Sequence, residues 1–352
     1  MRITRRDFLK YCTISAGALG LSTTALMKLE EALAKEGQPA VTWLQGQACG
    51  GCVTSVLNSI TYTDIGSLLT DEPVHGTLGK GIDLNYMPTI MAAVGDLAIS
   101  AATATASTPA VLVVEGSIPA DKVTTVSGTS YVDNDYCDVW EPNTTTVATG
   151  MLDAVRDRIV FNTASPDVSY PLFVIALGTC AAYGGIPAAK PNPTGARSVT
   201  DILTDTKWLA SAYTNQTGNT LTTSEQRTLL RNMKKKIINI AGCPPHPDWF
   251  VGTVAYILTY GERPAIDSLY RPVEYYGQRL CDSCPRFSTP IGCLKMIGCK
   301  GMRTKADCSY RYWNKEPDYS GTGNYCPNSG SPCLGCVTPY FWDRNAPFFK
   351  LR

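Results

Sequence analysis

The residues able to carry chemistry in this chain are its cysteines. There are 14 in 352 residues, and eight of them stand close together: Cys281, Cys284, Cys293, Cys299, Cys308, Cys326, Cys333 and Cys336. Between them run Cys281-Asp282-Ser283-Cys284, Gly298-Cys299-Lys300-Gly301 and Cys333-Leu334-Gly335-Cys336, separated by glycine, proline, asparagine and serine. Such a stretch has too few periodic apolar residues to fold around its own side chains. Disulfides, zinc or iron–sulfur clusters could hold it. Eight thiolates fill two four-ligand sites with none left over.

Four more cysteines lie upstream, each just beyond an apolar run. Cys49 and Cys52 sit in Gln47-Ala48-Cys49-Gly50-Gly51-Cys52, Cys180 in Gly178-Thr179-Cys180-Ala181, and Cys243 in Gly242-Cys243-Pro244-Pro245. A single Cys-x-x-Cys is weak evidence, because redox dithiols share it. The same pair with two further cysteines at corresponding strand ends is much stronger. Neighbouring glycine and proline let backbone N–H groups approach sulfur.

The elements that must position these thiols follow from the apolar pattern. Ala40–Leu44, Ala110–Val114, Leu172–Leu177 and Lys236–Ile240 read as buried strands, each followed by a turn former. Gly51–Ile60, Thr89–Ala106 and Phe250–Tyr260 read as helices. Short continuous apolar runs alternating with helices predict a doubly wound α/β fold with a parallel sheet covered on both faces. In such folds sites collect at the carboxyl ends of the strands. The polar stretches Val123–Thr146 and Ser198–Thr223 read as surface insertions. Regular structure thins after Pro264, which sets a domain of residues 35–264 before a mostly irregular one of residues 265–352.

Composition narrows the function. Apolar residues make up 44% and charged ones 17%, with 30 glycines and 23 prolines, which fits a globular chain with much irregular structure. A net charge of +1 gives no electrostatic case for nucleic acid. With only His75 and His246, histidine-rich metal chemistry is nearly excluded.

Residues 1–34 read as an address. Arg5-Arg6-Asp7-Phe8-Leu9-Lys10 precedes a weakly apolar run, and Ala32-Leu33-Ala34 offers small residues for cleavage. That is the layout of a twin-arginine export signal, which implies a periplasmic or other extracytoplasmic location. Cys12 falls inside it and leaves the count. The pathway carries folded proteins, which suits a cofactor inserted first. No other stretch has the length to span a bilayer, and the C-terminal residues carry no hydrophobic tail.

Taken together, the motifs resemble the small subunit of nickel–iron hydrogenases. The likeness runs from Trp43-Leu44 and Cys49-Gly50-Gly51-Cys52 through Glu115-Gly116-Ser117-Ile118-Pro119, Gly178-Thr179-Cys180-Ala181 and Ala188–Ala196. It continues in Gly242-Cys243-Pro244-Pro245, Gly298-Cys299-Lys300-Gly301 and Cys333 to Asp343. It covers nearly all of the mature chain in the family's order and lapses at the two polar stretches. The cluster-bearing subunit of respiratory complex I shares the first domain but not the eight-cysteine region.

The resemblance implies a flavodoxin-like domain holding a proximal cluster, and a C-terminal domain holding a medial and a distal one. By motif, Cys49, Cys52, Cys180 and Cys243 are the proximal ligands. Cys281, Cys284, Cys293 and Cys299 are the distal ligands, and Cys308, Cys333 and Cys336 belong to the medial site. The nickel–iron centre lies on a separate large subunit. The chain is then half of a heterodimer, or of a dimer of heterodimers. It passes electrons to an outside carrier such as a c-type cytochrome or a membrane quinone-linked subunit, the latter associating the enzyme with a membrane.

This sequence departs from the family twice. The family's first distal ligand is usually histidine, four residues after an aromatic-Gly turn; here Tyr276-Gly277 leads to Cys281. Its medial site usually has three cysteines and a proline, giving a 3Fe–4S cluster; here Cys326 stands where that proline falls. Fourteen cysteines less Cys12 and Cys137 leave twelve, enough for three all-cysteine 4Fe–4S clusters. Relatives that work in air carry two more proximal cysteines, where this chain has Gly51 and Gly185.

Other residues have duller readings. Cys137 reads as a free or buried thiol. Glu115 is either a carboxylate satisfied by local backbone N–H groups or a group with a proton or interface role beside the large subunit. His246 reads as a cap for the loop after Pro245, and Tyr340-Phe341-Trp342 as packing. The rival to the redox reading is an exported binding or structural protein stapled by disulfides or zinc.

Overall fold

The computed structural model describes residues 40–59, 83–105, 110–120, 138–139, 149–287, 289, 292–313 and 323–345. The export segment, Cys12, His75, Cys137 and most of the stretch from Val123 to Thr146 lie outside them. The described chain forms two compact units. One holds residues 40–51 and 84–241; the other holds 52–59, 83 and 242–345. Residues 242–264, assigned above to the sheet domain, fall in the second.

The first unit is built on a five-stranded sheet. Its strands are β1 (Ala40–Gln45), β2 (Asp83–Tyr86), β3 (Ala110–Glu115), β4 (Val174–Leu177) and β5 (Ile237–Ile240). The spatial order is β5-β4-β3-β1-β2, and β1–β3, β3–β4 and β4–β5 are parallel. That is the flavodoxin-like order, in which chain direction across the sheet reverses between β1 and β3. The register sets Ala40 opposite Ala110 and Leu112 opposite Val174.

The run-on apolar strands have a physical cause. Val41, Trp43, Leu44, Val111 to Val114, Val174 to Leu177, Ile237, Ile238 and Ile240 are all at most 3% exposed. Neither face of these strands meets water, so no polar residue needs to alternate. Each large aliphatic side chain buried this way stabilises the fold by about 1.5–3 kcal/mol.

Helices differ more from expectation. The helix read over Thr89–Ala106 begins only at Asp96, as α2 (Asp96–Ala104), after α1 (Gly51–Leu57). Gly95 before it has φ 57°, a left-handed value that stops a right-handed helix from running through. After α3 (Met151–Asp157) and α4 (Gly178–Tyr183), the polar stretch Ser198–Thr223 proves not to be a surface insertion. It forms α5 (Val199–Leu203) and α6 (Thr206–Thr217), then leads into α7 (Thr223–Lys236).

These helices are specified locally. Asp205 caps α6 by accepting from the N–H groups of Lys207 and Trp208, and Thr222 and Glu225 form a capping box on α7. Leu209, Ala212 and Tyr213 recur on one buried face of α6, while Leu229 and Met233 do so on α7. Serine, threonine and asparagine cover the outer faces and give the stretch its polar composition.

Among the described residues of the second unit the longest helix is α8 (Pro247–Tyr260); its other helical segments are most of α1 and helices of three or four residues. Backbone pairs cross-tie the turns: Leu280 N–H donates to Thr304 C=O at 2.8 Å, Lys300 N–H to Cys333 C=O at 2.8 Å, and Trp313 and Asn324 exchange a pair. Its interior includes Leu280, Tyr325 and Cys333, with Cys284, Cys299 and Cys308 against them. Thiols thus line this part of the unit's interior. Phe341 and Trp342 are buried, as expected for packing, but Tyr340 is 53% exposed. Among the described residues no helix is long and apolar enough to cross a membrane.

Candidate functional site

None of the twelve described cysteines forms a disulfide. Eight of them lie in residues 281–336 of the second unit, where several crowd Cys281 or Cys308. Cys281 has its thiol pushed up to about 11, first by burial and then by Cys299, Cys284, Cys293 and Asp282. Burial raises Cys308 more strongly, followed by Cys336, Asp307, Cys333 and Cys326. The cysteines crowding Cys281 are those assigned above to the distal site. Those crowding Cys308 are the other two medial cysteines, Cys333 and Cys336, and Cys326.

Within the groups, donors point at sulfur. Cys333 N–H lies 3.3 Å from Cys299 Sγ, Gly335 N–H 3.4 Å from Cys333 Sγ, and Tyr325 Oη 3.2 Å from Cys284 Sγ. Burial also raises Cys333, and it pushes Cys336 up to about 12, against an opposing contribution from the Cys243 backbone N–H. Without a ligand Cys281, Cys308, Cys333 and Cys336 hold their protons at neutral pH. Loading metal displaces the protons and leaves thiolates that already face N–H and O–H donors. This donor set fits iron–sulfur clusters. Among the described residues no three His, Cys, Asp or Glu side chains form a group suited to a single metal ion.

The upstream cysteines sit where strands end. In the sheet unit, Cys49 follows β1 and Cys180 lies in α4 directly after β4. Parallel pairing puts both loops at one edge of the sheet. In the second unit, Cys52 opens α1 and Cys243 lies three residues beyond β5. Ser55 Oγ donates to Pro245 C=O at 2.7 Å and ties α1 to the Cys243 loop.

Glu115, at the end of β3, is 1% exposed. Its Oε2 accepts from Trp43 Nε1 at 3.2 Å and Gln45 Nε2 at 3.0 Å. The partners include side chains of the adjacent strand, whereas the duller of the two sequence readings named local backbone N–H groups.

His246 caps α8, its Nδ1 accepting from Asp248 N–H at 3.1 Å while Nε2 lies 2.7 Å from Tyr312 C=O. Burial holds its pKa below the ordinary value, and both ring nitrogens are taken by protein partners. Beside it, Arg311 bonds Asp307 at 2.8 Å and lies 3.4 Å from Asp248, and Trp249 Nε1 donates to Asp307 at 2.8 Å. Removing Arg311 would strand two buried carboxylates at a cost of about 3–5 kcal/mol. Asp307 directly precedes Cys308, so this network fixes the turn that delivers that thiol. Sequence reading missed both this network and Tyr325. A lone Arg, Asp or Tyr carries no periodic signal, and the partners are dozens of residues away.

The comparisons with known proteins follow these two parts of the chain. Residues 49–257 match the family described as NADH ubiquinone oxidoreductase, 20 Kd subunit, a match that by itself sets only the class, a redox-complex subunit. Residues 274–349 match the family of C-terminal regions of NiFe/NiFeSe hydrogenase small subunits. The chain belongs to the family of small subunits of nickel–iron and nickel–iron–selenium hydrogenases. It is 32% identical to the periplasmic NiFeSe hydrogenase small subunit of Desulfomicrobium baculatum, covering 99% of each chain. To the periplasmic NiFe hydrogenase small subunit 1 of Nitratidesulfovibrio vulgaris it is 30% identical, covering 99% of this chain and 93% of that one. Among solved structures, a reduced, active NiFeSe hydrogenase from D. baculatum matches with TM-score 0.63 and 31% identity, over 89% of this chain and 99% of that one.

Proposed function

We propose that this chain is the electron-transfer small subunit of a periplasmic nickel–iron hydrogenase, with the hydrogen-splitting site on a large-subunit partner. The observation that carries the reading is the likeness to a hydrogenase small subunit over 99% of each chain, supported by the crowding of C-terminal cysteines around Cys281 and Cys308.

Three 4Fe–4S clusters, when bound, supply one-electron relay stations. Cys49, Cys52, Cys180 and Cys243 would hold the proximal one, Cys308, Cys326, Cys333 and Cys336 the medial one, and Cys281, Cys284, Cys293 and Cys299 the distal one. The chain's part is to space these sites, exclude water from the inner ones and present donors to their sulfurs. Residues 1–34 direct export through the twin-arginine pathway, and an external carrier takes electrons at the distal end.

Metal analysis of the purified complex tests this reading. About twelve irons with as many labile sulfides should accompany the small subunit, alongside a nickel-containing partner. Zinc in place of iron, or a chain that purifies without such a partner, would overturn it.

A second measurement addresses the distal end. The Cys281 thiolate carries a negative charge that neutral imidazole lacks, and negative charge favours the oxidised cluster. Cys281→His is therefore expected to raise the distal potential in a redox titration followed by electron paramagnetic resonance. An unmoved potential in a variant with full iron content would count against Cys281 as a ligand.

A further inference from the structure

Tyr325 is 3% exposed and sits in the interior of the cysteine-rich unit with Leu280 and Cys333. Its ring stands edge-on to Tyr312, with centroids 5.2 Å apart and planes at 89°. The backbone around it is pinned: Trp313 and Asn324 exchange hydrogen bonds of 2.7 and 2.9 Å, and Ser329 N–H donates to Tyr325 C=O at 3.0 Å. The ring therefore has little freedom, and its hydroxyl reaches Cys284 Sγ at 3.2 Å.

That contact crosses between the two cysteine groups. Tyr325 immediately precedes Cys326, of the group around Cys308, while Cys284 belongs to the group around Cys281. A second crossing runs the same way, from the N–H of Cys333 to Cys299 Sγ at 3.3 Å. The segment that bears the medial cysteines thus supplies two donors to sulfurs of the distal set.

We propose that Tyr325 is a positioning residue that raises the reduction potential of the distal cluster through its hydrogen bond to Cys284. This rests on the cluster assignment above. A cluster gains negative charge on reduction, so an O–H donor to a ligating sulfur stabilises the reduced form more than the oxidised one. A hydrogen bond to a charged group is stronger than one between neutral groups, and burial keeps water from replacing it. The donor opposes the lowering expected from a thiolate at Cys281 and keeps the distal potential near its medial neighbour. Electrons then pass outward without a steep uphill step.

The test is Tyr325→Phe in the assembled heterodimer, which removes one oxygen and keeps the ring. At the wild-type distal midpoint the reduced-to-oxidised ratio should fall about tenfold, a shift of about 59 mV for one electron. The medial and proximal midpoints and the iron content should stay as they were. An unmoved distal midpoint at full iron content would overturn the proposal, and so would equal shifts of all three clusters, which mark a general packing effect. If the variant does not assemble, the wild-type enzyme still decides. Electron–nuclear double resonance of the reduced distal cluster should find two strongly coupled protons lost in deuterium oxide, those of Tyr325 O–H and Cys333 N–H, and finding fewer than two would overturn the proposal. A preparation lacking iron altogether would instead overturn the assignment of clusters to this chain.

Discussion

Replacing Cys326 by proline is expected to give the oxidised enzyme a sharp, isotropic paramagnetic signal near g of about 2 that the natural protein lacks. The group around Cys308 sets up this outcome. Burial raises the thiols of Cys308, Cys333, Cys336 and Cys326, and Cys326, the one exposed residue of the four, stands where relatives have proline. Proline offers no thiolate, so three cysteines remain, and three suffice for a 3Fe–4S cluster. The lost iron and lost thiolate should also raise the potential of that centre. Cys326→Ala should give the same signal without proline's constraint on the backbone next to Pro327. A strong three-iron signal in the intact natural protein would show that Cys326 is not a ligand.

Exposure to dioxygen should abolish hydrogen oxidation by the assembled enzyme. Related enzymes that work in air add two cysteines to the proximal set, at the positions held here by Gly51 and Gly185. At Gly185 the backbone itself resists a side chain. Its φ is 62°, and a Cβ there would lie 2.6 Å from Cys180 Cα and 2.9 Å from Cys180 Cβ. At Gly51 a Cβ would meet Cys49 Sγ at 3.3 Å, tighter than ordinary contact. With four proximal thiolates, the protein cannot offer the extra ligands that let those relatives deliver two electrons in quick succession. Electrode measurements should therefore show the current falling to background when air is admitted and staying there after its removal. A steady fraction that persists in air and recovers at once would refute this.

Much of the sheet was legible because its strands are buried on both faces. Val111 to Val114 and Val174 to Leu177 could hardly be anything else between turn formers. β2 (Asp83–Tyr86) was not legible: four residues of mixed polarity at the sheet's edge carry no run and no alternation. The stretch Ser198–Thr223 was misread for the opposite reason. Its average polarity hid a real helical period in Leu209, Ala212 and Tyr213, together with cap signals at Asp205 and Thr222.

The site divides along similar lines. Thiol chemistry follows from residue type and spacing, so the cysteines could be singled out individually. The division of the C-terminal cysteines between Cys281 and Cys308 follows from the resemblance to hydrogenase small subunits. What tunes them does not: Tyr325 meets Cys284 from 41 residues away, and Asp307 meets Trp249 from 58. Such contacts are properties of the folded backbone.

The strand order has a metric consequence. Because β3 stands between β1 and β4, the loops bearing Cys49 and Cys180 leave strands two spacings apart, about 10 Å. The turn after β3 must stay low between them, and Gly116 lets it. At φ 87°, with a hypothetical Cβ only 2.7 Å from Ala48 N and Gln47 C, no other residue fits beneath the Cys49 loop. The sheet therefore acts as a ruler, its hydrogen-bond spacing setting how far apart those two thiols start. Lengthening either loop could change their height above the sheet edge, but the gap between their roots belongs to the backbone alone.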